Sequence, residues 1–243
     1  MKLLIDADFI VYKNCAACEC EVDWGNDTIL VQSFFSDAYR AVTRELDNIK
    51  LQFEFHSPEL ILFFSSPKNF RKKIYPEYKG HRNRKKPCGY VRVIEKLKAE
   101  YLVILMDELE ADDSMGIHAT LHPDECVICS PDKDMRQIPG QLFDMKETMR
   151  VSKESGRNWH YIQTLAGDQT DGYSGVPGIG VKRAVSLFEE KGYTWSTIVE
   201  AFEEKELTEE DALMNARLAK ILTKDDYDFK RDEPILWTPT ASD

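Results

Sequence analysis

Lys2-Leu3-Leu4-Ile5-Asp6-Ala7-Asp8 begins with a short, mainly apolar run over residues 2–5 and stops on two carboxylates. That pattern fits a buried parallel strand with acids at its carboxyl end, the end at which open α/β sheets place their sites. Three later runs repeat it: Leu60-Ile61-Leu62-Phe63-Phe64, Leu102-Val103-Ile104-Leu105 and Cys126-Val127-Ile128-Cys129. Between them the spacing predicts helices over about 9–20, 33–50 (Phe34, Phe35, Ala38, Val42, Leu46, Ile49) and from Val91 to Tyr101, with a turn at Trp24–Asp27 and a short strand at Thr28–Val31. Strand and helix alternate to about residue 145, as in a doubly wound α/β parallel sheet. Beyond that point the apolar spacing is helical, through Val181, Ala184, Val185 and Phe188, then Met214, Leu218, Ile221 and Leu222 after a Thr208-to-Asp211 capping signal.

A chain of 243 residues with 42% hydrophobic and 31% charged residues suits one large domain or a domain with an appendage, and no apolar run approaches the ~18 residues of a membrane span. The start meets Asp6 too soon for a secretory apolar region, and six cysteines without such a leader predict reduced thiols in the cytoplasm. Cys15, Cys18, Cys126 and Cys129 have the spacing of a zinc site. The reading as small buried hydrophobes is preferred, because side chains three apart in a strand face opposite ways.

A net charge of −11 argues against a nucleic-acid partner until its distribution is considered. Lys68, Arg71, Lys72, Lys73, Lys79, Arg82, Arg84, Lys85 and Lys86 stand against the single acid Glu77, which leaves about −19 for the remainder. This segment, broken by Pro76 and Pro87, is expected to be an exposed arm. Its interleaved Tyr75, Tyr78 and His81 suit single-stranded or frayed nucleic acid.

The predicted strands run into acids: Asp6 and Asp8, then Glu110, Asp112 and Asp113, then Asp132 and Asp134. In extended chain, side chains two apart point the same way, so Asp6 with Asp8 and Asp132 with Asp134 are expected to converge. Any one of these acids is unremarkable in a chain with 43 of them. As a set, with Asp168 and Asp171, they point to a cluster that needs cations to offset its repulsion, and Mg2+ or Mn2+ prefer oxygen ligands. Two such ions about 4 Å apart are a common solution for phosphodiester hydrolysis.

Gly167-Asp168-Gln169-Thr170-Asp171-Gly172 leads into Gly175-Val176-Pro177-Gly178-Ile179-Gly180-Val181-Lys182-Arg183. Val181 stands where a P-loop needs lysine, and the third glycine of a dinucleotide fingerprint is missing, so ATP and NAD are disfavoured. A helix-hairpin-helix that offers backbone N–H groups to DNA phosphates, with Lys182 and Arg183 nearby, fits better, and a plain interhelical turn is the alternative.

Taken together and in order, Leu-Ile-Asp6-Ala-Asp8, Tyr75-Pro76-Glu77-Tyr78-Lys79-Gly80-His81-Arg82, Glu110-Ala111-Asp112-Asp113, Ser130-Pro131-Asp132-Lys133-Asp134 and Gly167-Asp168-Gln169-Thr170-Asp171 with its glycine hairpin resemble the 5′-nuclease superfamily. Pro87-Cys88-Gly89-Tyr90 and the tail Arg217–Leu222 with Leu236-Trp237 look most like the short stand-alone 5′→3′ exonucleases of tailed bacteriophages. The resemblance implies a PIN-like α/β core over residues 1–157, with a helical arch at about 66–90, and a helix-three-turn-helix subdomain over 158–243. It implies two divalent ions. Asp6, Glu110 and Asp112 would serve the first, with Asp113 in an outer position, and Asp132, Asp134, Asp168 and Asp171 the second. Tyr78, Lys79 and Arg82 would act at the scissile phosphate. DNA would meet Arg71, Lys72, Lys73, Arg84, Lys85 and Lys86, and the hairpin Gly175, Val176, Pro177, Gly178, Ile179, Gly180 with Lys182 and Arg183, where K+ is often held. The implied enzyme is a monomeric 5′→3′ exonuclease or flap endonuclease of phage DNA replication or recombination, located in the host cytoplasm and acting on duplex 5′ ends, nicks, flaps and RNA:DNA hybrids.

One departure stands out: family members usually carry an aspartate after the second core strand, where this sequence is read as placing Ser66. Two rivals remain open, a DNA-binding protein that has lost cleavage and a PIN-type ribonuclease.

Overall fold

The computed structural model describes residues 1–82 and 85–240. The first half runs β1 (Lys2–Asp6), α1 (Ala7–Ala17), β2 (Cys20–Asp23), β3 (Ile29–Gln32), α2 (Phe35–Leu51), β4 (Glu59–Phe63), α3 (Arg71–Ile74), α4 (Tyr90–Glu100), β5 (Leu102–Ile104), α5 (Ala111–Leu121) and β6 (Cys126–Cys129). A 3-10 turn at Lys133–Gln137 leads to β7 (Gly140–Phe143) and β8 (Thr148–Val151). Then come α6 (Lys153–Ala166), β9 (Gly167–Asp168), β10 (Tyr173–Ser174), α7 (Val181–Lys191), α8 (Trp195–Glu203), α9 (Glu209–Ala219), β11 (Tyr227–Asp228) and β12 (Glu233–Pro234).

The main sheet has the order β5-β4-β1-β6-β7-β8, parallel except for the antiparallel β7–β8 pair. The chain runs outward from β1 through β4 to β5 and then crosses back to β6 on the other side of β1, so the strand order reverses between β1 and β6 and a crevice opens at the carboxyl ends of these central strands. Leu3, Leu4 and Ile5 are fully buried, which is why β1 reads as a continuous apolar run. One face packs Leu3, Ile5 and Leu62 with Ile10 and Val11 of α1, Val42 and Leu46 of α2, and Val93 and Leu97 of α4. The other packs Leu4, Ile61 and Ile128 under Ala111, Met115 and Ala119 of α5. Each buried large aliphatic contributes about 2 kcal/mol, so this two-sided burial holds the strand ends rigidly.

The short strand expected at 28–31 is β3, which pairs with β2 in a separate two-stranded ribbon. Two expectations change here. The β7–β8 hairpin extends the sheet where only alternation to about 145 was expected. The arm at 66–90 is not a helical arch among its described residues: it has one helical turn, α3, because Pro76, Gly80 and Pro87 interrupt it.

The helices α6 to α9 form their own core around Tyr161, Phe188 and Phe202, and α9 starts on the expected Thr208–Asp211 capping box. The division expected after residue 157 falls inside α6, a continuous helix that also packs on the 133–137 turn. No described helix is long and apolar enough to cross a membrane.

Candidate active site

Asp6 is the last residue of β1 and the N-cap of α1, where Oδ1 accepts from Phe9 N at 3.1 Å and Oδ2 from Ser130 Oγ at 3.0 Å. Burial, with the carboxylates of Asp8 and Asp132 nearby, pushes its pKa up to about 6. Glu110 caps α5, and Asp112 lies in that helix's first turn. Burial and the charges of Asp6, Asp132 and Glu110 raise the Asp112 pKa well above the usual carboxylate range, and its buried Oδ1 has no hydrogen-bond partner. After β6, Asp132 caps the 133–137 turn by accepting from Asp134 N at 2.9 Å. Burial and Asp132 push Asp134 up to about 7.

The opposite side carries cations. Lys79 Nζ lies against Glu110 Oε1 and 3.5 Å from Asp171 Oδ2, while Arg82 Nη2 donates to Asp171 Oδ1 at 2.6 Å. Burial alone would raise Glu110, but Lys79 and Arg71 outweigh it and hold its pKa down at about 2. For Asp171 burial prevails over Lys79 and Arg82, and its pKa is raised. The Tyr78 hydroxyl stands 3.0 Å from Glu110 Oε2 and 2.9 Å from Asp171 Oδ2, so its single proton serves two carboxylates. Asp168 accepts from Thr170 N at 2.7 Å, with Lys133 Nζ at 3.6 Å.

The chain is shaped locally to allow this. Lys79 has φ +54°, an uncommon conformation for a residue with a side chain, and its N–H donates to Asp171 O at 2.7 Å. Gly167 (φ +66°) and Gly175 cross so closely that a Cβ on Gly167 would lie 2.0 Å from Gly175 N. Only glycines at the crossing let β9 and β10 set Asp168 and Asp171 beside the other acids.

Asp6, Glu110, Asp112, Asp132, Asp134, Asp168 and Asp171 thus come to one cleft with Lys79 and Arg82. Others do not. Asp113 is 0% exposed and pairs bidentately with Arg71, itself 1% exposed, at 2.7 and 2.8 Å. Neither an outer metal position for Asp113 nor a DNA contact for Arg71 is compatible with that burial. Tyr78, expected among the cations of an exposed arm, is 2% exposed, so its ring is closed to stacking bases. Asp8 sits in the first turn of α1, not in extended chain, and accepts from Ser65 N at 2.8 Å and Tyr90 Oη at 2.9 Å. Asp132 and Asp134 meet through a cap rather than through strand alternation. Ser65 Oγ accepts from Ala111 N at 3.0 Å at the start of α5, while the half-buried Ser66 donates through Oγ to Asp107 Oδ1 at 3.2 Å.

Lys72, Lys73, Lys85 and Lys86 are exposed, and Arg84 lies outside the described residues. At the hairpin, Pro177, Gly178, Gly180, Lys182 and Arg183 face solvent. Val176 does not: its side chain is buried and its N–H donates to Leu165 O at 2.8 Å, while Ile179 N donates to Val176 O at 2.9 Å. Neither amide is open to phosphate. The α7 N-terminus has no side-chain cap, and Arg183 Nη1 donates to Gly178 O at 2.6 Å.

Sequence reasoning passed over Ser130, Ser65, Lys133 and Gln163. Ser130 and Lys133 flank acids already singled out, a signal in reach; mid-helix Gln163 gives none.

Residues 1–160 match the family described as 5′-3′ exonuclease, N-terminal resolvase-like domain. The chain belongs to the 5′-3′ exonuclease family. It is 29% identical to an exodeoxyribonuclease of Enterobacteria phage T3 and to an exonuclease of Escherichia phage T7, each over 98% of this chain and 93% of the relative. With the 5′-3′ exonuclease of Buchnera aphidicola subsp. Schizaphis graminum it shares 30% identity over 78% of this chain and 71% of that one. Among solved structures, the T5 D15 protein co-crystallized with metal ions superposes with a TM-score of 0.64 at 16% identity, over 90% of this chain and 89% of that one. That likeness shows the shared fold. The enzyme is a 5′→3′ exonuclease, a phosphodiester hydrolase whose acids and cations meet in one cleft.

Proposed function

We propose that this enzyme is a divalent-metal-dependent 5′→3′ exonuclease and flap endonuclease that hydrolyses DNA at duplex 5′ ends, nicks and flaps, and the RNA strand of RNA:DNA hybrids. The observation that carries the proposal is Asp112: a buried carboxylate with an unpartnered oxygen, amid Asp6, Asp132 and Glu110, in an all-oxygen donor set suited to Mg2+ or Mn2+. Among the described residues no three carboxylates close on one point as they stand, and Lys79 and Arg82 lie against Glu110 and Asp171. The donor chemistry fits metal all the same, and the reading requires Lys79 to exchange Glu110 for the scissile phosphate.

Asp6, Glu110 and Asp112 would hold one ion and Asp132, Asp134, Asp168 and Asp171 a second. Such ions activate water and offset charge on the leaving oxygen when bound. Lys79 and Arg82 orient the scissile phosphate and stabilise its added negative charge. Exposed Lys72, Lys73, Lys85 and Lys86 guide the 5′ strand, and Gly178, Gly180, Lys182 and Arg183 at the open start of α7 receive a duplex phosphate. K+ at the hairpin belongs to the same reading, as do a catalytic core at 1–157, a DNA-binding subdomain at 158–243, a monomeric state and action in the cytoplasm, the host's if the chain is phage-encoded.

The test is a cleavage panel of blunt duplex, nicked duplex, 5′ flap and RNA:DNA hybrid with Mg2+, Mn2+ or EDTA. Release of 5′-terminal products that stops in EDTA is expected. Cleavage of RNA but not duplex DNA would favour a ribonuclease, and DNA binding without cleavage would overturn the catalytic reading.

A further inference from the structure

The backbone from Leu218 to Leu222, at and just beyond the end of α9, is gripped by buried side chains that also reach the acidic cleft. Arg71 donates through Nε to Leu218 O at 3.0 Å and through Nη2 to Lys220 O, while pairing with Asp113 and approaching Glu110. Gln137 Nε2 donates to Ala219 O at 2.6 Å, and its Oε1 accepts from Ile221 N at 3.0 Å. Leu222 N donates to Asp113 Oδ1 at 3.2 Å.

Gln137 passes this grip onward. A backbone carbonyl only accepts and a backbone N–H only donates, so Ala219 and Ile221 determine which way the Gln137 amide faces. Its remaining N–H then points to Gln163 Oε1 at 2.7 Å. That in turn leaves Gln163 with its Nε2 toward Asp134 Oδ1, at 2.5 Å. Both glutamines are at most 5% exposed, so no water is at hand to replace a lost partner. Gly156 makes room for the arrangement, because a Cβ there would lie 2.2 Å from Gln137 O.

We propose that Gln163, oriented by Gln137 and the 219–221 backbone, is a positioning residue that holds Asp134 Oδ1 as an acceptor and turns Oδ2 toward the second metal. The helical subdomain thereby sets the geometry of a ligand in the α/β core. This rests on the metal reading above. Partners that orient a metal-binding carboxylate typically change metal affinity about 10–100-fold when removed.

The test is Mn2+ binding to the full chain without DNA, measured by calorimetry, for wild type, Gln163→Met and Gln137→Met, with thermal unfolding of each. Affinity at least 10-fold weaker for one ion in both folded variants supports the relay. Unchanged affinity in a folded Gln163→Met overturns it while leaving the metal reading standing, whereas no Mn2+ binding by wild type overturns both. Wild-type protein supplies a check that needs no variant: on adding Mg2+, the side-chain amide NMR signals of Gln163 and Gln137 should move while that of exposed Gln52 stays. Immobile Gln163 and Gln137 signals at Mg2+ saturation overturn the proposal even if the variants do not fold.

Discussion

The two sides of the acidic cleft handle negative charge differently. Around Glu110, Arg71, Lys79 and Tyr78 converge, and the Glu110 pKa falls to about 2 despite burial. Around Asp6, Asp112 and Asp134 burial acts together with neighbouring carboxylates; Asp6 rises to about 6, Asp134 to about 7, and Asp112 rises as well. The chain's own cations neutralise the first side. Among the described residues the second side has no such convergence of cations, and under the proposed reading ions held by Asp6, Asp112, Asp132 and Asp134 would offset its charge.

If that contrast holds, Asp112→Asn removes the central ligand of the uncompensated side and should lower kcat/KM by about 10³-fold, about 4 kcal/mol of barrier, in single-turnover cleavage of a 5′ flap. Loss of less than tenfold would break the comparison. On the compensated side the largest effect should be on stability: Arg71→Met strands the fully buried Asp113, for a cost of about 3–5 kcal/mol in urea unfolding, and the double variant Arg71→Met/Asp113→Leu should recover most of it. Lys79→Ala should reduce kcat about 10²-fold with little change in KM, because Lys79 acts on charge that develops during cleavage.

The uncompensated side also predicts a pH dependence. Asp6 and Asp134 have folded pKa values above the ordinary aspartate value of 3.8, so between about pH 4 and 7 the native state binds more protons than the unfolded one. Metal-free protein therefore loses this contribution to stability as pH rises through 6 and 7, and divalent ions offset the loss. Mg2+ should raise the melting temperature by several degrees at pH 8 and by less at pH 5. At a concentration 100-fold above Kd the stabilisation is about 2.7 kcal/mol. The smallest effect concerns the hairpin: Lys182→Ala should raise KM for duplex a few-fold and reduce the salt slope of binding by about 0.9, leaving kcat in place.

The core strands and the acids at their ends were legible because parallel strands buried on both faces must be apolar throughout and must then stop. Periodicity likewise placed α2 and α4, and the capping pair Thr208–Asp211 placed the start of α9. The glycines at 167 and 175 were legible only as part of a glycine-rich stretch, and that they cross where nothing larger fits came from the structure. What misled was treating chemistry as local: a run of cations looked like an arm, yet Arg71 and Tyr78 are its anchors.

By itself, the sequence determined that this is an α/β protein with carboxylates gathered at the ends of its central strands, a basic segment above an acidic body and a glycine hairpin leading into a helix. All of these are written in patterns of neighbouring residues. Only the tertiary structure decided which charges face one another. Asp113 is claimed by Arg71, Asp134 by Gln163, and Asp112 Oδ1 by nothing, because each outcome depends on residues tens of positions away and on which of them burial deprives of water.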